Sequence, residues 1–227
     1  LIPSEWNGLE LQNNHVYGLH NNLLSDMSIP STSRTDRMYI FSKQVKPHSK
    51  VTNQKSSGRC WIFAALNMIR NLFITSNNLP NDFEFSQSYL FFWDKFARVN
   101  YFIDIYERTK EEDLNSQKIQ FLLKDPLGDG GQWQMFVNLV EKYGLIPKSA
   151  FPETKHSSNS RGLNMVLTKK LREYCKKIRS NDFNRDEALR ETYELLVKFL
   201  GRPTNEFTWE YMDKDNKYVR NANLTPQ

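Results

Sequence analysis

The most continuous apolar pattern in the chain begins at Cys60. Over CWIFAALNMIRNLF, residues 60–73, there is no Pro or Gly, and apolar side chains fall on nearly every side. Ala64, Ala65 and Leu66 favour helix, and such broad apolar coverage predicts a central helix rather than a superficial one. The polar stretch Thr52 to Arg59 reads as a loop, which places Cys60 at a loop-to-helix junction. Ser86 is a candidate cap for a second helix, SQSYLFFWDKFARV, whose Tyr89, Phe92, Trp93 and Phe96 recur at helical spacing as a packing face. A third segment, from about Asn100 to Leu123, alternates apolar and charged groups in a helical manner. Asp125-Pro126-Leu127-Gly128-Asp129-Gly130-Gly131 then breaks the pattern.

Helical spacing resumes from Gln132 to Tyr143, with Trp133, Phe136, Val137 and Val140 on one side. Gly144 and Pro147 end it. Residues 161–179 carry Leu163, Leu167, Leu171, Tyr174 and Ile178 on one face, and Arg185 to Leu200 predict a further helix stopped by Gly201 and Pro203. Short strands are expected between Phe207 and Val219, around Asp215-Asn216. Residues 1–50, punctuated by Pro3, Pro30 and Pro47, read as an N-terminal arm or irregular layer. The domain expectation is that arm followed by one mainly helical unit over 51–227.

Composition changes this picture only by exclusion. No apolar run approaches the roughly 20 residues of a membrane-spanning helix, and the opening LIPSEWNGLE lacks the basic and apolar regions of a signal peptide. Two cysteines, Cys60 and Cys175, are too few for a disulfide scaffold; two free thiols of a reducing compartment are the simpler reading and a single bridge the alternative. His15, His20 and His48 have no zinc-motif spacing and read as surface or packing residues. The formal charge of +5 is mild. Lys169, Lys170, Arg172, Lys176, Lys177 and Arg179 cluster on one helix, where a solvated face is preferred and a nucleic-acid or acidic-partner patch is the alternative.

Chemistry concentrates at Cys60. The first turn of a helix presents unsatisfied N–H groups and the positive end of the dipole, which favour a thiolate. The backbone N–H of Cys60 and the side-chain amide of Gln54 are suitable oxyanion donors if the loop curls back, and Gly58 would permit that turn. Trp61 is expected to pack against the loop. Gly130-Gly131 is either a structural turn or a cleft wall where missing side chains let a peptide approach. The residues alone leave both readings open.

TNQKSSGRCWIFAALN, residues 52–67, resembles the nucleophile motif of papain-like cysteine peptidases, and within them the bleomycin hydrolase and aminopeptidase C branch. FEFSQSYLFFWDK at 83–95, DGGQWQMFVNLVEKYGLIPKSAFPE at 129–153 and FLGRPTNEFTWEYMDKDNKY at 199–218 resemble the same branch. The papain motif commonly has a disulfide cysteine at the position of Ser57; this chain, like the branch, does not. The resemblance implies an α+β papain-like fold, with this chain mainly the helical lobe and most of the strand-rich lobe absent. It implies Cys60 as nucleophile, Gln54 in the oxyanion hole, and Gly130 and Gly131 lining the substrate cleft.

The resemblance further implies a cytoplasmic thiol-dependent aminopeptidase acting on peptides or small aminoacyl amides, homohexameric when complete, with no cofactor and no metal. The family's catalytic His and Asn follow the Cys in chain order, yet no matching motif follows here. His156, in the polar stretch Thr154 to Asn159, does not fit the role. The sequence therefore reads as the nucleophile-bearing half of a longer protein, inactive by itself. A catalytically incomplete helical interaction module and a nucleic-acid-binding protein are the competing readings.

Overall fold

A computed structural model describes residues 42–43 and 49–227. The expected N-terminal arm, with His15, His20 and His48, lies almost wholly outside the described residues. Among the described residues of the unit Lys46–Gln227, seven helices precede a β-hairpin: α1 Cys60–Ser76, α2 Gln87–Arg108, α3 Gln117–Lys124, α4 Trp133–Tyr143, α5 Lys155–Ser158, α6 Arg161–Arg179, α7 Arg185–Leu200, β1 Phe207–Met212 and β2 Tyr218–Leu224. The fold is α+β and dominated by helices, with one two-stranded antiparallel sheet among the described residues.

Helix α2 is the axis of the core. Ser86 accepts from the Tyr89 amide at 3.0 Å and donates to the Phe151 carbonyl at 2.6 Å, so the cap also fixes where the helix starts. Its buried residues Leu90, Phe91, Phe92, Val99, Phe102, Ile103 and Tyr106 face α1, α4, α6 and α7. The expected division near Asn100 is absent; α2 runs unbroken to Arg108. Val99, Phe102, Ile103 and Tyr106 continue the buried stripe, while Asn100 accepts from Arg185 Nη2 of α7 at 2.9 Å. The break comes at Thr109, and Ser116 caps α3 after it.

Helix α6 follows its sequence pattern, burying Leu163, Leu167, Leu171, Tyr174 and Ile178. Its basic residues divide. Lys169, Arg172, Lys176 and Lys177 are exposed, whereas Lys170 pairs with Glu191 at 3.1 Å and Arg179 donates to the Tyr106 hydroxyl at 2.9 Å. Helix α7 has Asn184 accepting from the Glu187 amide, with Asp186 and Glu187 in its first turn, where the dipole favours them. Along β1, intermediate and exposed positions alternate, and Trp209 packs on Phe83 with ring centroids 5.4 Å apart.

Three large apolar residues are less covered than their pattern implies. Trp133, the first residue of α4, stays 52% exposed beside Phe136, because the buried stripe of that helix is Phe136 and Leu139. Helix α1 buries Ile62, Phe63, Ala65, Leu66 and Ile74 but leaves Met68 57% and Leu72 74% exposed. It is covered on one side by the described residues.

Leu90 has no exposed surface and sits where α2 meets the rest of the core. Leu90→Ala is expected to destabilise by about 2–5 kcal/mol through lost burial and a residual cavity. The shift of the urea midpoint at unchanged slope checks this.

Candidate active site

Cys60 is the first residue of α1, and its thiol is exposed and free. Arg59 is the N-cap and supplies no side-chain capping bond, and the first turn holds no acidic residue. No acidic side chain of the helix's own first turn therefore offsets its positive end. Cys175 is also free, but it is buried on α6; burial pushes its thiol up to about 12.

The loop before Cys60 is closed by its own polar groups. Gln54 Nε2 donates to the Ser57 carbonyl at 3.0 Å, and Ser57 Oγ donates to the Gln54 carbonyl at 2.6 Å. One amide hydrogen of Gln54 is therefore used inside the loop, and a second remains. Lys55 adopts a left-handed φ of 56°, with its N–H on Asn53 Oδ1 at 2.8 Å. The Ser56 amide donates to the Ser158 carbonyl at 3.0 Å, docking the loop on the end of α5.

Arg59 turns inward and is 1% exposed. Its Nη1 donates to Glu153 Oε1 at 2.7 Å and its Nε to Ser57 Oγ at 2.8 Å; the guanidinium lies 5.0 Å from the Phe63 ring centre and 5.6 Å from that of Phe91. No local sequence signal marks this pair, since the partners are 94 positions apart. His156 is exposed on the one-turn α5, with its ring on Phe199 at 4.6 Å between centroids. It makes no hydrogen bond to Cys60 among the described residues.

The segment from Gly128 to Gly131 meets this loop. A Cβ at Gly58 would lie 2.0 Å from Asp129 Cβ, and a Cβ at Gly131 would lie 2.3 Å from the Trp61 ring. Gly58 is therefore required by a close approach, not by an unusual φ. Gly130 has open space where a side chain would be. Behind the segment, Lys95 Nζ donates to Asp129 Oδ1 at 2.8 Å and to the Gly128 carbonyl at 3.2 Å. Arg98 Nη2 reaches the Gly130 carbonyl at 2.5 Å, and Asn164 Nδ2 reaches Asp129 Oδ1 at 2.9 Å.

Two carboxyls in this cluster are displaced in opposite directions. For Asp94, burial raises the carboxyl above its usual range, although Arg98 and Lys95 pull the other way. For Asp129, burial also acts upward, but the Lys95 hydrogen bond and charge, the Asn164 amide and Arg98 outweigh it and hold the carboxyl low. A cavity of about 530 Å³ opens between α2 and α4, lined by Tyr101, Met135, Leu139 and Tyr143 among others; Cys60 is not part of its lining. Among the described residues no group of His, Cys, Asp and Glu is arranged to hold a metal ion.

The family model described as the Peptidase C1-like family matches residues 11–227. A bleomycin hydrolase of Oryctolagus cuniculus is 40% identical over 92% of this chain and 79% of its own sequence. Aminopeptidase C of Streptococcus thermophilus is 39% identical over 92% of this chain and 48% of its own. A crystal structure of PepW from Lactobacillus rhamnosis is similar with a TM-score of 0.88 and 38% identity, covering 98% of this chain and 52% of that one. The chain spans about half the length of most of these relatives; for the Gallus gallus bleomycin hydrolase the share is 45%.

Two outcomes are expected from the site geometry. Gly131→Ala forces a shift of Trp61 and should cost about 1–3 kcal/mol by overpacking, while Gly130→Ala should be near neutral; urea unfolding followed by tryptophan fluorescence separates them. The low Asp129 carboxyl contributes stability that is present above the unfolded carboxylate value of about 3.9 and is lost as pH falls through the lower folded value. The stability gap between wild type and Asp129→Asn should therefore narrow on acidification from about pH 6 to about pH 2.

Proposed function

The chain belongs to the peptidase C1-like family, and from that premise we propose that it is the nucleophile-bearing part of a cysteine aminopeptidase of bleomycin hydrolase type. The observation that carries the reading is the exposed Cys60 thiol on the first turn of α1, with the Gly130-Gly131 segment pressed against its neighbour Trp61. Residues 51–227 are read as a partial catalytic domain and 1–50 as an arm upon it.

In this reading the Cys60 thiol gives its proton to a histidine and the sulfur attacks the scissile carbonyl. The Cys60 N–H and the free Gln54 amide hydrogen stabilise the oxyanion. The same histidine returns the proton to the departing amine, leaving a thioester on Cys60, and water then releases the acid and regenerates the thiol. His156 packs on Phe199 and is not assigned the role of base. The base and its orienting Asn are assigned to sequence of the kind that makes the relatives about twice as long. The uncovered side of α1, with Ala64, Met68 and Leu72 in line with Cys60, is the surface on which such sequence would pack.

Peptides and small aminoacyl amides are the proposed substrates, in a homohexamer of the cytoplasm. The reaction needs neither metal nor nucleotide. No helix among the described residues is long and apolar enough to cross a membrane. A nucleic-acid interface on α6 is the weaker reading, because Lys170 and Arg179 already have protein partners.

In the full-length protein, Cys60→Ser should lower turnover of a fluorogenic aminoacyl amide by on the order of 10⁴-fold or more, and Gln54→Ala should lower kcat by about 10²–10³-fold. Residues 1–227 alone should not turn over the amide until the remaining sequence is supplied as a second chain. Unchanged turnover in Cys60→Ser would sink the reading.

A further inference from the structure

Lys95 and Arg98 leave one turn of α2 and together hold three consecutive residues of the glycine segment: Gly128 and Asp129 through Lys95, and Gly130 through Arg98. Lys95 has no exposed surface, and its ammonium lies 5.4 Å from the centre of the Phe91 ring. An ion pair that buries its cation is weak ground for stability, since desolvation of that cation offsets the attraction and a well-packed apolar residue commonly serves as well. What such a pair does supply is a fixed position for both partners.

The position fixed here bears on Cys60 from two sides. Asp129, held by Lys95 at 2.8 Å and by Asn164 at 2.9 Å, lies flush against Gly58, two residues before the thiol. Gly131, directly after the carbonyl held by Arg98, lies flush against Trp61, one residue after the thiol. The guanidinium of Arg98 also lies 6.0 Å from the Trp61 ring centre. No covalent tie joins the two segments: Ser57 is not a cysteine, and Cys175 is buried and free.

We propose that Lys95 is a positioning residue for the Cys60 site, which acts through Asp129 to set the Gly130-Gly131 wall against the nucleophile loop. It touches neither substrate nor reacting atoms. The inference rests on reading Cys60 as the nucleophile and the glycine pair as the wall along which an extended peptide lies. It requires that loss of Lys95 displace the wall relative to the thiol while leaving the thiol itself exposed.

The test uses the full-length protein with Lys95→Met, which keeps an unbranched side chain, one atom shorter and uncharged, and suits the Phe91 ring. Iodoacetamide needs only an accessible thiolate, whereas a peptidyl epoxide must also align along the wall. The variant should alkylate with iodoacetamide at close to the wild-type rate and react with the peptidyl epoxide about 10- to 100-fold more slowly, the effect of a displacement near 1 Å. Hydrogen exchange should rise together in 54–61 and 125–131 and stay unchanged in α7. Should Lys95→Met fail to fold, Asp129→Asn weakens the same tie while keeping its shape, and the same readings apply.

An unchanged ratio of the two rates, with wild-type protein reacting with both reagents, overturns the proposal. So does unchanged exchange in the two segments. If the wild-type protein takes iodoacetamide at Cys60 but no peptidyl epoxide, the peptidase reading fails instead. The tie is then judged on exchange alone: a joint rise supports it, and no rise overturns it.

Discussion

The geometry around the thiol depends on a buried cation. Arg59 is 1% exposed, and the next residue, Cys60, is exposed, so the backbone passes from interior to surface within one peptide unit. A guanidinium taken out of water costs several kcal/mol unless its charge and donors are met. They are met here by Glu153, Ser57 Oγ, the Gln54 carbonyl at 3.5 Å and two aromatic faces. Glu153 is itself braced by Ser157, whose hydroxyl donates to its second oxygen at 2.5 Å. With Arg59 drawn inward, the first residue of α1 has to face out.

That constraint explains why the loop is polar yet well determined. Its hydrogen bonds are made within the loop and to the end of α5, while Gly58 and Trp61 approach the glycine segment closely enough to exclude a Cβ at two places. The glycines serve different ends. Gly58 and Gly131 are shape requirements of packed surfaces; Gly130 has open space where a side chain would be, and its carbonyl is held by Arg98. Gly144 is different again, with a φ of 73° at the end of α4.

Elements whose boundaries are set locally were legible in the sequence. The spacing of Leu163, Leu167, Leu171, Tyr174 and Ile178 marks α6, Gly201 marks the end of α7, and Ser86 marks the start of α2, because each signal lies within or beside the element it controls. The continuity of α2 through Asn100 was not legible, since the group that satisfies Asn100 is Arg185, 85 positions away. The one-sided exposure of α1 was equally hidden: apolar breadth reports what a helix can bury, not what covers it. At the site, the motif drew attention to Gln54, Cys60, Gly130 and Gly131. Arg59 with Glu153 and Lys95 with Asp129 were missed, because an ion pair between distant positions leaves no periodicity to read.

The two cysteines differ in environment as far as two thiols in one chain can. Cys60 stands in solvent, while Cys175 is 5% exposed on the inner face of α6, where burial pushes its thiol up to about 12. A thiol reagent applied at neutral pH thus finds one equivalent in the folded molecule and a second only when α6 comes away from the core. The ratio of the two is a count of open molecules in a sample, carried by the chain itself and independent of any label or substrate.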